Sequence, residues 1–223
     1  MNVLYLSDFY LSDTRLLENL GRCIKASGEV FILIPDGRRF AALQMEINSA
    51  LLFQPAPDLP EPISQKLIST LTSSILKPMV NFLAEGMAPA ISFSGHQRKI
   101  VSLRNGTIAV NSQTLNSLSG EISNLVLLAT ADLDGSARII SPVCLVEKLE
   151  LEGASAFYLD ETLPPDGVSS FEELKIWVDS EKSVNDTYSW INEWNGSFPL
   201  QFTNCAGIRE FGQKKDRFLT IEK

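Results

Sequence analysis

Two uninterrupted apolar runs, Val3-Leu4-Tyr5-Leu6 and Val30-Phe31-Ile32-Leu33-Ile34, flank a segment of helical spacing, and no other feature constrains the fold as strongly. Between them Ser12 or Asp13 can cap a helix carrying Leu16, Leu17, Leu20 and Ile24, and Gly28 stops it. Strands apolar on both faces belong inside parallel sheets. A β-α-β opening crosses over right-handed, so both strand carboxyl ends fall on one edge. In open α/β sheets that edge holds the ligand. Ser7-Asp8 after the first run and Pro35-Asp36-Gly37-Arg38 after the second are therefore the first places to look for chemistry.

The pattern continues with a helix from about Arg39, with Phe40, Leu43 and Ile47 on one face, and an extended proline-rich connection through Pro55, Pro57, Pro60 and Pro62. A second helical pattern, Ile63, Leu67, Leu71 and Ile75, is kinked or ended by Pro78, continues from Met79 to Glu85 and closes at Gly86. Asn105-Gly106 between alternating runs signals a β-hairpin. The second half repeats the α/β theme: Asn124 to Ala129 as a strand, Asp132 to Gly135 as a turn, Leu145 to Leu151 as a helix and Ala156 to Leu159 as a strand. A late helix with Val184, Trp190, Ile191 and Trp194 leads to a last strand, Pro199 to Phe202, and the two tryptophans read as core or interface anchors.

With 223 residues, 44% of them hydrophobic and 21% charged, the chain can bury one substantial core as a single domain. No apolar run approaches the span of a bilayer, and the opening segment has no basic residue before Asp8, unlike a signal peptide, so a cytoplasmic location is expected. Cys23, Cys144 and Cys205, odd in number and far apart, suit reduced thiols rather than a disulfide frame or a metal site. The net charge of −8 is uneven: from Glu121 to Glu193 there are 15 acids against Arg138, Lys148, Lys175 and Lys182. That distribution argues against nucleic acid or an anionic membrane as a partner and reads as an acidic solvated face.

The order of segments resembles the amino-acid kinase family, acetylglutamate kinases in particular. Glu85-Gly86-Met87-Ala88-Pro89-Ala90-Ile91-Ser92-Phe93-Ser94-Gly95-His96-Gln97 follows that family's Gly-x-x-Ala-x-Gly-Leu-Ser-Gly-Lys-Asp-Gly run. Asn124 to Ala129 with Asp132-x-Asp134-Gly135 resembles the strand and turn before its Asn-Ala-Asp motif, and Ala154 to Glu161 resembles its strand ending Leu-Thr-Asp. The resemblance implies a three-layer α/β/α sandwich with a mainly parallel central sheet plus a β-hairpin, a substrate half of about 1–120 and a nucleotide half of about 121–223. It also implies a homodimer and ATP-dependent phosphorylation of the carboxylate of an N-acylated amino acid, with Mg²⁺, within arginine biosynthesis.

Carried over position by position, the resemblance makes Lys182 a catalytic candidate, and the shared carboxyl edge adds Asp8. Asp36, Gly37, Arg38, Ser94 and Gly95 become the substrate-binding ones, and Ser7, Asp160 and Lys182 the nucleotide-binding ones. Its departures matter as much. Tyr5 stands where the family has a lysine, Ser7-Asp8 where it has two glycines, and Ser141-Pro142-Val143 where it has Asn-Ala-Asp. Phosphoryl transfer needs glycine-exposed backbone N–H groups and cations around the phosphates, and a carboxylate at position 8 repels a polyphosphate. Arg38 or Arg39 is the replacement cation the residues suggest. Two readings result: an acylated-amino-acid kinase, or a non-catalytic relative acting as a small-molecule-binding or regulatory subunit. His96, without an identifiable partner in sequence, reads as a polar turn residue.

Overall fold

The structure, a computed structural model of the chain, describes residues 1–46, 52, 54, 57–121, 124–161, 163–165, 167–180, 188–194, 196, 198–211 and 219–221. It opens with β1 (Asn2–Leu6), a short helix α1 (Asp8–Ser12), α2 (Thr14–Ser27) and β2 (Phe31–Pro35). The Asp13 carboxylate accepts from the Arg15 N–H to cap α2, and Gly28 ends it in the left-handed region at φ 70°. There follow α3 (Arg38–Gln44), α4 (Glu61–Leu71), a π-helical turn (Thr72–Leu76), α5 (Lys77–Glu85), β3 (Ile91–Ser94), β4 (Val101–Arg104), β5 (Thr107–Val110) and α6 (Ser112–Glu121). The last part holds β6 (Leu125–Leu128), β7 (Thr130–Leu133), β8 (Ser136–Ile139), α7 (Pro142–Leu151), β9 (Ser155–Leu159), α8 (Phe171–Ser180), a 3₁₀ turn (Ser189–Glu193), β10 (Leu200–Thr203), α9 (Cys205–Arg209) and β11 (Leu219–Ile221).

Seven strands form the central sheet in the order β11-β10-β9-β1-β2-β6-β3. Every neighbouring pair is parallel except β10 with β11. Because side chains alternate along a strand, the sheet divides its apolar residues between two faces. Val3, Tyr5, Ile32, Ile34, Leu125, Leu127, Ala156 and Tyr158 pack with α7, α8 and the smaller sheet. Leu4, Leu6, Phe31, Leu33, Val126, Leu128, Phe157 and Leu159 pack with α2, α4 and α5. Full burial of each such side chain contributes roughly 1.5–3 kcal/mol, which is why the runs near Leu4 and Ile32 carry no polar residue. The expected three-layer α/β architecture with a mainly parallel sheet is what the chain adopts.

The smaller sheet, β5-β4-β7-β8, joins two hairpins. Asn105 (φ 51°) and Gly106 (φ 75°) make the first turn, and Asp134 (φ 51°) and Gly135 (φ 88°) the second. The sequence reading expected only a turn at Asp132 to Gly135; the flanking Thr130–Leu133 and Ser136–Ile139 pair as strands. Arg138 Nη1 donates to the Leu59 carbonyl at 2.7 Å and Ser64 Oγ to the Ala137 carbonyl at 3.3 Å, tying this sheet to the start of α4.

Other expectations are corrected. Phe40 and Leu43 face outward from α3, Leu43 being 80% exposed, and Ala41 and Ala42 are the buried pair. Pro78 does not end its helix: the Lys77 N–H reaches back to the Thr72 carbonyl, so the ladder widens just before the residue that lacks an N–H. The continuous helical stretch Glu61–Glu85 therefore reaches 25 residues and, by length and composition, is long and apolar enough to cross a membrane. In this fold it lays Leu67, Leu71, Leu76, Met79 and Leu83 into the core. The acidic second half is not all solvated, because Glu147, Asp160 and the Glu193 side chain are buried. Trp190 and Trp194 are buried as expected, on the 3₁₀ turn and just after it rather than on a long helix.

Candidate functional site at the carboxyl edge of the sheet

Parallel pairing places the ends of β1, β2, β9, β6 and β3 on one edge, and the two loops that matter most touch there. The Asp36 N–H donates to the Leu6 carbonyl at 2.9 Å, and the Arg39 N–H donates to Asp8 Oδ2 at 3.3 Å. Ser7, Asp8, Asp36, Gly37 and Arg38 are thus brought together. Asp160, at the end of β9 beside β1, joins the same edge, its backbone N–H donating to the Thr203 carbonyl at 2.9 Å and its carboxylate facing the Tyr188 hydroxyl. Ser94 and Gly95 share the edge but end β3, two strands beyond β2. Lys182 lies outside the described residues.

A charged network fills the space between the loops. Arg38, 1% exposed, donates from Nε to Asp36 Oδ1 (2.7 Å) and from Nη2 to Asp36 Oδ2 (2.9 Å) and Glu193 Oε1 (2.7 Å). Its Nη1 donates to Glu193 Oε2 (2.7 Å) and to the Leu52 carbonyl (3.0 Å). A guanidinium has five N–H donors, and all five have protein acceptors. The Tyr5 hydroxyl, at the position where the resemblance expects a lysine, donates to Asp36 Oδ2 at 2.7 Å. Tyr158 stacks on Trp190 at 4.5 Å, and the Tyr5 ring packs tilted against both, with centroids 5.4 and 5.3 Å away.

The electrostatics follow from burial in this network. Burial pushes the Asp36 carboxyl up, but the Arg38 charge and hydrogen bonds, with the Tyr5 hydroxyl, outweigh it and hold the group below its ordinary value. Burial would lower Arg38, yet Asp36 and Glu193 raise it. Tyr5 is pushed up by burial first and by the Asp36 charge second. Burial first, then the Asp36 charge, raise Asp8 to about 7 against the pull of the Arg39 and Phe40 N–H groups and the Arg38 charge. Its Oδ1 and the Ser7 Oγ have no hydrogen-bond partner among the described residues.

Both glycine candidates have a structural job. A Cβ on Gly37, at φ 71°, would lie 2.1 Å from Ile75 Cδ1, and one on Gly95 would lie 2.2 Å from the Thr130 carbonyl oxygen. The close approach that glycine permits at position 95 is therefore to the chain's own β7. Ser94 is buried, and its N–H donates to Gln97 Oε1 at 3.1 Å. His96 holds its turn through Thr130, whose Oγ1 is 3.0 Å from Nδ1, and burial lowers its pKa against the pull of Asp132.

The residue that sequence reasoning missed is Glu193. A single acid between Ile191 and Trp194, both buried, was the available signal. It carries a carboxylate to an edge where the resemblance loses one at Val143, but it arrives 155 positions from its partner, beyond the reach of spacing arguments.

A polyphosphate does not fit the described part of this edge. The buried guanidinium has its donors occupied, the Asp36 oxygens are bound to Arg38 and Tyr5, and Asp8 adds a further acid. No cluster of three or more His, Cys, Asp or Glu side chains able to hold a metal ion is found among the described residues.

No family model and no curated protein matches this sequence. Solved structures do. N-acetylglutamate synthase from Neisseria gonorrhoeae, complexed with coenzyme A and N-acetyl-glutamate, is 14% identical with a TM-score of 0.60, covering 100% of this chain and 59% of that one. Isopentenyl phosphate kinase from T. acidophilum, in a product complex, is 12% identical with a TM-score of 0.54, covering 100% of both chains. Aspartate kinase from Synechocystis is 12% identical with a TM-score of 0.57, covering 100% of this chain and 40% of that one. The chain thus spans 59% of the synthase and 40% of the aspartate kinase. At these identities the likeness establishes architecture: the chain has an α/β fold matching amino-acid kinase-like structures.

Proposed function

We propose that this chain is a non-catalytic relative of the amino-acid kinases, a small-molecule-binding or regulatory subunit that dimerises and whose phosphate-binding edge is closed by its own side chains. One observation carries the reading. Arg38, the cation best placed to replace the missing lysine, directs all five donors to Asp36, Glu193 and the Leu52 carbonyl. Releasing it toward a phosphate would leave two buried carboxylates unpaired, a cost of several kcal/mol. The acids at Asp8 and Asp36 and the tyrosine at position 5 support the same conclusion.

The test is a titration of the whole protein with MgATP, following melting temperature and phosphoryl transfer to N-acetylglutamate. A ligand bound only by the native state at 100 times its Kd stabilises that state by about 2.7 kcal/mol, so binding with a Kd in the ten-micromolar range or tighter raises the melting temperature at millimolar ligand. The expected result is an unchanged melting temperature at millimolar MgATP and no phosphorylated product. A saturable rise that Lys182→Ala abolishes would restore the kinase reading.

A further inference from the structure

On the opposite face of the sheet from α7, two cysteines meet in a polar setting that the carboxyl-edge network does not use. Cys23, on α2, is 1% exposed, and Cys205, the first residue of α9, is 4% exposed. Helices α2 and α9, which carry them, pack against each other. Both line a cavity of about 280 Å³ with Asn19, Glu161 and Arg209. The Tyr10 hydroxyl, from α1, lies 3.3 Å from Cys205 Sγ and donates to Glu161. The same carboxylate accepts from the Cys205 N–H at 3.1 Å.

Thiols buried in apolar surroundings keep their protons and are inert. This pair is arranged otherwise. The neighbouring Cys205 thiol first, then the Arg209 guanidinium, outweigh burial and bring Cys23 down to about 7, while the Cys23 thiol and burial push Cys205 up. Among the described residues, the charged and titratable groups facing the pair are Tyr10 from α1, Glu161 after β9, Arg209 from α9 and Glu210 just after it. Cys144, on α7, sits across the sheet and is pushed up by burial.

We propose that Cys23 and Cys205 are a paired oxidation site that closes to an intramolecular disulfide on reaction with hydrogen peroxide, joining α2 to α9. The Cys23 thiolate attacks one peroxide oxygen; an S–O bond forms, the O–O bond breaks, and the departing hydroxide takes up a proton to leave as water. Cys205 then attacks the Cys23 sulfur; the S–S bond forms, the S–O bond breaks, and the second oxygen leaves as water with the Cys205 proton. Two thiols are oxidised by two electrons and one peroxide is reduced to two waters. The step needs hydrogen peroxide as co-reactant and no other group.

The experiment uses the whole reduced protein, treated with hydrogen peroxide, quenched with an alkylating agent under denaturing conditions and mapped by mass spectrometry. Two of the three thiols should become unreactive, with a peptide pair linking Cys23 to Cys205 that dithiothreitol reverses. The rate should rise through a pH of about 7, where the Cys23 thiolate forms. Cys144→Ser should behave as the wild type, and Cys205→Ser should leave a sulfenic acid at Cys23 that dimedone traps. Retention of all three alkylatable thiols, a link through Cys144, a link only between two chains, or a rate flat across that pH range would each overturn the proposal.

Discussion

Arg38 and Glu193 lie 155 positions apart and form a two-pronged ion pair, Nη1 to Oε2 and Nη2 to Oε1, each 2.7 Å. Both side chains are at most 4% exposed, so the pair sits where water does not compensate a lost partner. Glu193→Ala is expected to cost about 3–5 kcal/mol, read from urea unfolding. Arg38→Met alone should cost at least as much, because Asp36 and Glu193 are left as bare buried acids. Adding Asp36→Asn and Glu193→Gln to it should recover part of the loss. A cost under about 1 kcal/mol for Glu193→Ala would show the pair to be solvated.

Asp8 and Asp36 give opposite pH signatures. The Asp36 carboxyl is held below its ordinary value, so its contribution is present above the unfolded pKa and is lost as pH falls through the folded one. Asp8 is raised from 3.8 to about 7, so the folded state keeps a proton that the unfolded chain releases, and stability declines as pH rises across that window. Asp8→Asn removes the penalty while keeping an acceptor for the Arg39 N–H. It should be more stable than the wild type at pH 8 by about 4 kcal/mol and nearly indistinguishable near pH 4, judged by melting curves at both values.

Helices α2 and α5 cross at two glycines. A Cβ on Gly86 would lie 2.4 Å from the Glu18 carbonyl oxygen and 2.7 Å from Gly21 Cα, both backbone atoms that cannot swing aside. Gly86→Ala should therefore cost about 3 kcal/mol. Gly28→Ala meets nothing within 4 Å and bears only the left-handed penalty at φ 70°, about 1 kcal/mol. Equal losses in thermal unfolding would contradict the close crossing.

Local chemistry was enough for the opening unit: the apolar runs near Leu4 and Ile32, the Asp13 cap, the Gly28 stop and the Asn105-Gly106 turn each act over a few residues and appear where their residue types require. The same reasoning placed Ser7, Asp8, Asp36 and Arg38 on one edge, because a parallel β-α-β unit can turn only one way. It misassigned the outward face of α3, where Phe40 and Leu43 are exposed, since periodicity marks a stripe but not the neighbour that covers it. It could not weigh the Pro78 position, where one widened helical turn absorbs the missing donor.

Sequence alone determined the opening β-α-β unit and the acids at its carboxyl edge, because strand burial and crossover direction are set by residues close together in the chain. Only the tertiary structure decided that Arg38 pairs with both Asp36 and Glu193 at this edge and that two distant thiols share a cavity. Arg38 finds Glu193 across 155 positions, and Tyr10 finds Cys205 across 195. Such pairings depend on how layers stack on the finished sheet, and no spacing rule along the chain records where a carboxylate or a thiol arrives once the core has packed.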